Sequence, residues 1–150
     1  MLIIGIVLSV ISVNLSPDRE SAVREEAQRL ALLLQTAQQE AILQGKVLAV
    51  ALEREGYAFQ ILNEKLEFKP LDGDEVLRVR LLPPGIVISG VDIEGAPENN
   101  DKDPPRLILL PTGELPAFTI TFSRDKIRWQ VKSEMAGKIA ARSAPLPERT

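Results

Sequence analysis

The first fifteen residues of the chain are almost entirely apolar, and a sequence of ordinary globular character follows without a break. The run from Leu2 to Leu15 is 14 residues long, shorter than the roughly 20 residues that a helix needs to span a bilayer. No Lys or Arg precedes it and no small-residue cleavage pattern closes it, which argues against a signal peptide. Two interpretations remain: a core helix, or the end of a longer apolar helix. The start at Met1 and Leu2, without a polar lead-in, favours the second.

The pattern predicts an amphipathic helix over residues 17–44. Ser16 and Pro17 are typical of a helix N-terminus, although the same pair is also compatible with a kink inside one longer helix. An apolar stripe follows at spacings of three and four residues, and we expect it to pack against a sheet. The stripe consists of Val23, Ala27, Leu30, Leu34, Ala37 and Ala41, widened by Leu32 and Leu33. Gly45 then supplies the left-handed residue that commonly ends a helix.

After Gly45 the apolar period changes to the two-residue alternation of β-strands. Residues 47–62 are predicted to form a hairpin with its turn at 53–56. Further strands are predicted at 65–69, 76–82, 86–93, 106–110, 118–122 and 127–131. The predicted fold class is therefore α+β, with a long N-terminal helix, apolar and then amphipathic, packed on antiparallel β-sheets of about seven short strands.

This pattern divides the chain into three parts. Residues 1–22 form the apolar helix segment, residues 23–135 form the α+β domain, and residues 136–150 form a flexible tail. The tail is expected to fray because it has little apolar periodicity and contains two prolines. The polar stretch 96–105 is expected to be a loop.

Composition excludes several function classes. The chain has no Cys and no His, which removes a thiol nucleophile, the Ser-His-Asp arrangement and most zinc sites. An enzyme would depend on carboxylates, Lys, Tyr or Ser alone, so an enzyme is disfavoured and no cofactor is expected. The net charge of −3 offers no electrostatic reason to expect nucleic acid as a partner.

Four stretches together resemble one family. "IIGIVLSV" at 3–10 resembles the apolar N-terminal helix of type IV pilin-like proteins. The helix-to-strand segment 26–52 contains an E-A-x-x-x-G pattern (Glu40, Ala41, Gly45), and "EGYAFQIL" follows at 55–62. The stretch "LILLPTGELPAFTITF" at 107–122 and Trp129 complete the set. In this order the chain resembles the GspH family of minor pseudopilins of the type II secretion system.

The resemblance fails at the N-terminus. The family is made as a prepilin with a short basic leader, cut after a Gly that precedes Phe, with Glu at the fifth mature position. None of these features is present, so we expect the chain to begin inside the apolar helix, downstream of that signature. Upstream residues would bring the apolar run to spanning length.

The resemblance implies a structural, non-catalytic subunit of a periplasmic pseudopilus, with a single-pass anchor in the bacterial inner membrane. The implied partners are the other minor pseudopilins at the filament tip and the major pseudopilin. The membrane and filament helix would include Ile3, Ile4, Val7, Val10 and Ile11. The nearest alternative is a FimT- or FimU-like minor pilin of a type IV pilus, with DNA as its candidate ligand; the acidic composition argues against DNA.

Two further sets of residues are candidates for binding. Related major pseudopilins bind calcium, and Asp72, Asp74, Asp101 and Asp103 lie in oxygen-rich loops, but without a recognisable calcium-loop spacing, so solvated loops are favoured. The strand aromatics, including Trp129 flanked by Lys126, Arg128 and Lys132, are expected to be core or cross-strand packing. A base-stacking platform is the less favoured interpretation.

Overall fold

The computed structural model describes residues 18–71, 73–96 and 102–145. In these residues one helix, α1 (Asp18–Gln44), precedes nine strands. The strands are β1 (Leu48–Glu53), β2 (Gly56–Leu62), β3 (Phe68–Pro70), β4 (Arg80–Leu81), β5 (Val87–Ile93), β6 (Arg106–Leu109), β7 (Phe118–Arg124), β8 (Ile127–Ser133) and β9 (Ile139–Ser143). A single 3-10 turn, Met135–Gly137, separates β8 from β9. The predicted α+β class is confirmed, with nine strands where about seven were expected.

The strands form two antiparallel sheets. In the first, the order is β3-β2-β1-β6, and β4 also pairs with β2. In the second, the order is β5-β7-β8-β9. Helix α1 packs mainly on β7, β8 and β9, and it also touches β1 and β6. The helix therefore spans both sheets and gives them a common core.

The helix ends where its sequence predicts. Gly45 has φ of 63°, a conformation that glycine adopts without steric cost. The Lys46 N–H donates to the Ala41 carbonyl at 3.1 Å, the long-range bond of a Schellman motif. This bond satisfies one of the carbonyls that a helix end leaves unpaired, and it turns the chain directly into β1.

The predicted strand at 76–82 is much shorter in the structure. Only Arg80–Leu81 is extended and paired, opposite Gly56 and Tyr57 of β2. Upstream, Asp74 Oδ1 accepts the N–H groups of Val76 and Leu77, each at 2.9 Å. An aspartate that binds backbone N–H groups two and three residues ahead holds a turn instead of a strand.

The prediction of a frayed tail from residue 136 is wrong for Ile139–Ser143, which forms β9 along the edge of β8. Ile139 is buried in the core, and its carbonyl accepts a hydrogen bond from Gln35 Nε2 of α1 at 2.9 Å. Arg142 Nε lies 2.6 Å from Glu134 Oε1, and this hydrogen bond lowers the pKa of the Glu134 carboxyl. The hydrogen bond from Gln35 joins residues that lie 104 positions apart in the chain, so the local pattern does not reveal it.

Candidate assembly surfaces

The predicted helix stripe is fully enclosed. All six of its residues have an exposed fraction of 0%: Val23, Ala27, Leu30, Leu34, Ala37 and Ala41. They share one core cluster with apolar residues of both sheets, including Leu109, Val131 and Ile139. The stripe therefore binds α1 to its own sheets and is not a surface for another subunit.

A second apolar set on α1 faces outward. Of the two leucines predicted to widen the buried stripe, Leu33 is buried with it, whereas Leu32 is 62% exposed. Ile42 and Leu43 are exposed near the end of the helix. Apolar area left in water costs about 25 cal/mol per Å², so this helix face gains free energy if another subunit covers it.

The residues predicted to form the membrane and filament helix lie outside the described part of the chain. They are Ile3, Ile4, Val7, Val10 and Ile11. Among the described residues, no helix is both long enough and apolar enough to cross a membrane.

The calcium candidates do not come together as a site in the part of the chain that the structure covers. Asp72 and Asp101 lie outside the described residues. Asp74 binds the two backbone N–H groups of its own turn, and Asp103 is exposed. In ranges 18–71, 73–96 and 102–145, no group of three or more acidic side chains is arranged to hold a metal ion.

The strand aromatics pack inward. Tyr57, Phe59, Phe118 and Phe122 are buried, and Trp129 is half-buried against the same core. Tyr57 and Phe59 meet edge to face, with ring centroids 6.1 Å apart. Packing in the core leaves these rings unsuited to stacking with bases, which needs exposed ring faces.

A buried polar cluster lies at the third turn of α1. The Glu26 carboxylate is buried and bonds Arg29 Nη1 at 2.6 Å. Tyr57 is buried opposite Arg80 of β4, and its hydroxyl has no hydrogen-bond partner among the described residues. Burial raises the pKa of Tyr57 to about 12, with the Glu26 charge acting in the same direction and Arg80 opposing it. The Tyr57 hydroxyl is therefore neutral at neutral pH and enclosed by the fold.

Sequence reasoning missed Arg106. On β6 its Nε donates to Gln60 Oε1 at 2.9 Å, and its guanidinium carbon lies 4.6 Å from the centroid of the Phe68 ring. These partners stand on β2 and β3, so the signal depends on strand register and is invisible in the linear pattern.

One long N-terminal helix lies across two antiparallel sheets, with apolar residues left exposed on its outer side. The chain belongs to the family described as type II transport protein GspH, whose family model matches residues 26–137. The match covers α1 from its third turn through the 3-10 turn, so it includes the buried stripe except Val23 and both sheets except β9.

The relatives agree with this assignment. The type II secretion system protein H of Aeromonas hydrophila is 22% identical over 156 residues, which cover 92% of this chain and 85% of the relative. A crystal structure of the minor pseudopilin EpsH from the type II secretion system of Vibrio cholerae has a TM-score of 0.66 at 21% identity, covering 87% of this chain and 99% of that one. A second structure of the same Vibrio cholerae pseudopilin has a TM-score of 0.63 at 20% identity, covering 81% and 96%. These structures show that the fold is shared.

Proposed function

We propose that this chain is a minor pseudopilin: a structural, non-catalytic subunit of the type II secretion pseudopilus that assists its assembly and the export of folded proteins across the outer membrane. The observation that carries the proposal is the family match over residues 26–137.

The mechanism is assembly through two surfaces. The buried stripe fixes α1 on its sheets, so the helix and the β domain move as one rigid body. The apolar segment 1–22 packs in lipid or among like helices in the filament, because apolar surface of this extent is unfavourable in water. The β domain then offers its outward side chains to neighbouring subunits.

The same proposal assigns location and partners. The protein is anchored in the bacterial inner membrane by a single N-terminal span, with its β domain in the periplasm. Its partners are the other minor pseudopilins at the filament tip and the major pseudopilin. The alternative of a FimT- or FimU-like pilin that binds DNA has no observation in its favour, since the aromatics are packed inward and the net charge is −3.

Val7→Asp tests the role of the apolar segment. A charge within an apolar helix core costs about 3 kcal/mol by insertion scales, so we expect this variant to be lost from filaments isolated from the source bacterium. The β domain is expected to melt at the unchanged temperature, because the buried stripe begins at Val23. Val7→Leu is the matched control and should enter filaments normally. Val7→Asp recovered in filaments at the level of the control would contradict the proposal.

A further inference from the structure

Strand β6 forms one edge of the first sheet, and that edge is open. Of the strands described, β6 pairs only with β1. The Leu52 N–H donates to the Pro105 carbonyl at 2.9 Å, which fixes the alternation of the ladder. By that alternation Leu107 and Leu109 bond toward β1, while the backbone N–H and C=O groups of Ile108 point away from the sheet. An edge of this kind is a template for an added strand.

A groove adjoins this edge, and its lining has an apolar part and a charged part. Among the described residues that line it, four are apolar and only Glu114 is charged; they are Ile108, Leu110, Glu114, Leu115 and Pro116. The Glu114 side chain is exposed. None of the ion pairs within the described ranges involves it. The groove therefore combines an apolar surface with a carboxylate that is open to a partner.

The turn that carries Glu114 is fixed to α1. Gln38 Nε2 donates to the Gly113 carbonyl at 3.1 Å, and the Gly113 N–H donates to the Leu110 carbonyl at 3.0 Å. Gly113 has φ of 84°, and a Cβ at this position would meet the Ile42 side chain of α1 at 3.4 Å. The subunit's own fold therefore holds the groove in shape, so a partner binds without the cost of ordering it.

The electrostatics of this turn favour a cation. The C-terminus of a helix carries a partial negative charge, and the last turn of α1 contains no basic residue. Because this helix end touches Gly113, its charge adds to that of Glu114. Two cations close by in the sequence lie elsewhere: Lys46 lines a separate groove at the end of β2, and the Arg106 guanidinium lies over the Phe68 ring of β3. The groove therefore attracts a positively charged side chain.

We propose that β6 accepts, as an added strand, an extended segment of a neighbouring pseudopilus subunit that carries a Lys or Arg. The aliphatic stem of that side chain lies on the apolar lining beside Ile108, and its charged end binds the Glu114 carboxylate. Lys and Arg commonly cover apolar surface with their stems while the charged end remains at its border. This inference rests on the proposed function, because the partner is another subunit of the filament.

The test places p-benzoylphenylalanine, a photo-cross-linking amino acid, at position 112 of the full chain, expressed in the source bacterium with its secretion system. Thr112 is exposed on the turn that carries Glu114. A parallel chain carries the same group at position 7, where a cross-link reports entry into the filament through the N-terminal segment. The expected result is a cross-link from position 112 to another pseudopilus subunit. An extended segment rises about 3.3 Å per residue, so mass spectrometry should place the cross-link within about three residues of a Lys or Arg.

Glu114→Gln removes the charge with little change of shape. We expect it to lower the yield from position 112 by about fivefold, the size of a modest charge contribution at an interface. Glu64→Gln is the matched control: it makes the same change of net charge at an exposed position in the turn after β2, and it should leave the yield unchanged.

Ile108→Thr tests the apolar part of the groove. It keeps a branched residue that suits a strand but removes apolar surface, and we expect it to lower the yield from position 112 by about threefold. The cross-link from position 7 should be the same in every variant, and circular dichroism of each purified chain checks that it is folded.

The outcomes separate the two claims. A cross-link from position 7 with none from position 112 leaves the subunit role standing and overturns the added strand. A cross-link from position 112 to a helix, to a second copy of this chain or to a segment without Lys or Arg also overturns it, as does an equal yield in Glu114→Gln. No cross-link from either position contradicts the subunit role and, with it, this inference.

Discussion

Tyr57 is the chain's single tyrosine, so its ionisation can be followed directly by ultraviolet absorption. Burial raises its pKa from 10.0 to about 12 in the folded protein. The unfolded chain therefore loses this proton first as the pH rises. The free energy of unfolding is therefore unaffected by this group below pH 10. It falls between pH 10 and pH 12, by up to about 3 kcal/mol for the shift of the pKa from 10.0 to about 12.

Tyr57→Phe should remove this alkaline loss. At neutral pH its free energy of unfolding should stay within about 1 kcal/mol of the parent, because the deleted hydroxyl has no hydrogen-bond partner among the described residues. Denaturant unfolding of both chains across this pH range measures the difference between their free energies of unfolding. The lysines titrate in both chains, so their effect does not contribute to that difference. An equal alkaline loss in the two chains would show that Tyr57 is not its source.

Gly56 is required by a close approach of two backbones. A Cβ at this position would lie 2.3 Å from the carbonyl oxygen of Arg80. Gly56→Ala must therefore push β4 away from β2, and we expect a loss of about 2 kcal/mol, typical of overpacking. Thermal unfolding provides the measurement.

Gly90→Ala is the matched control for that substitution. Its Cβ would meet Thr121 at an ordinary 3.6 Å, so we expect a change of no more than about 0.5 kcal/mol. Equal losses at the two positions would refute the role given to the contact between Gly56 and Arg80.

At the scale of the element, α1 carries two apolar sets with opposite roles. Leu34 has an exposed fraction of 0%, so Leu34→Ala should cost about 2–5 kcal/mol of unfolding free energy through lost burial and the cavity it leaves. Leu32→Ala, two residues away on the outer face, should change the stability by no more than about 0.5 kcal/mol. Denaturant unfolding of the two variants measures both. A large loss from Leu32→Ala would mean that this outer position supports the fold of the isolated subunit.

Local patterns predicted the elements whose signals are local. The apolar stripe predicted the helix, Gly45 predicted its end, and the alternation of apolar residues predicted the first hairpin. Each of these signals depends on residues within a few positions of each other. By contrast, β9 is held to α1 through Gln35, which lies 104 residues from Ile139. Arg106 belongs to the same class, since Gln60 is 46 residues away. For the calcium candidates the sequence favoured solvated loops, because acidic composition in a loop does not by itself fix a binding geometry.

At the scale of the whole molecule, the buried apolar residues stabilise the fold, and the exposed apolar residues are available for contact with neighbouring subunits. Both sheets and α1 share one core, while Leu32, Leu43 and Ile108 stay exposed. For a subunit of a filament this division is physically sensible. Burying the outer apolar residues only on assembly favours the filament over the free subunit without altering the fold.

The measurement that tests the central claim most directly is export. The gene is deleted in the source bacterium, and the folded proteins in the culture medium and in the periplasm are quantified. If the chain is a pseudopilus subunit, the amount of these proteins falls in the medium and rises in the periplasm. The full-length gene then restores export, and the gene carrying Val7→Asp does not. Export that is unchanged after deletion would contradict the account.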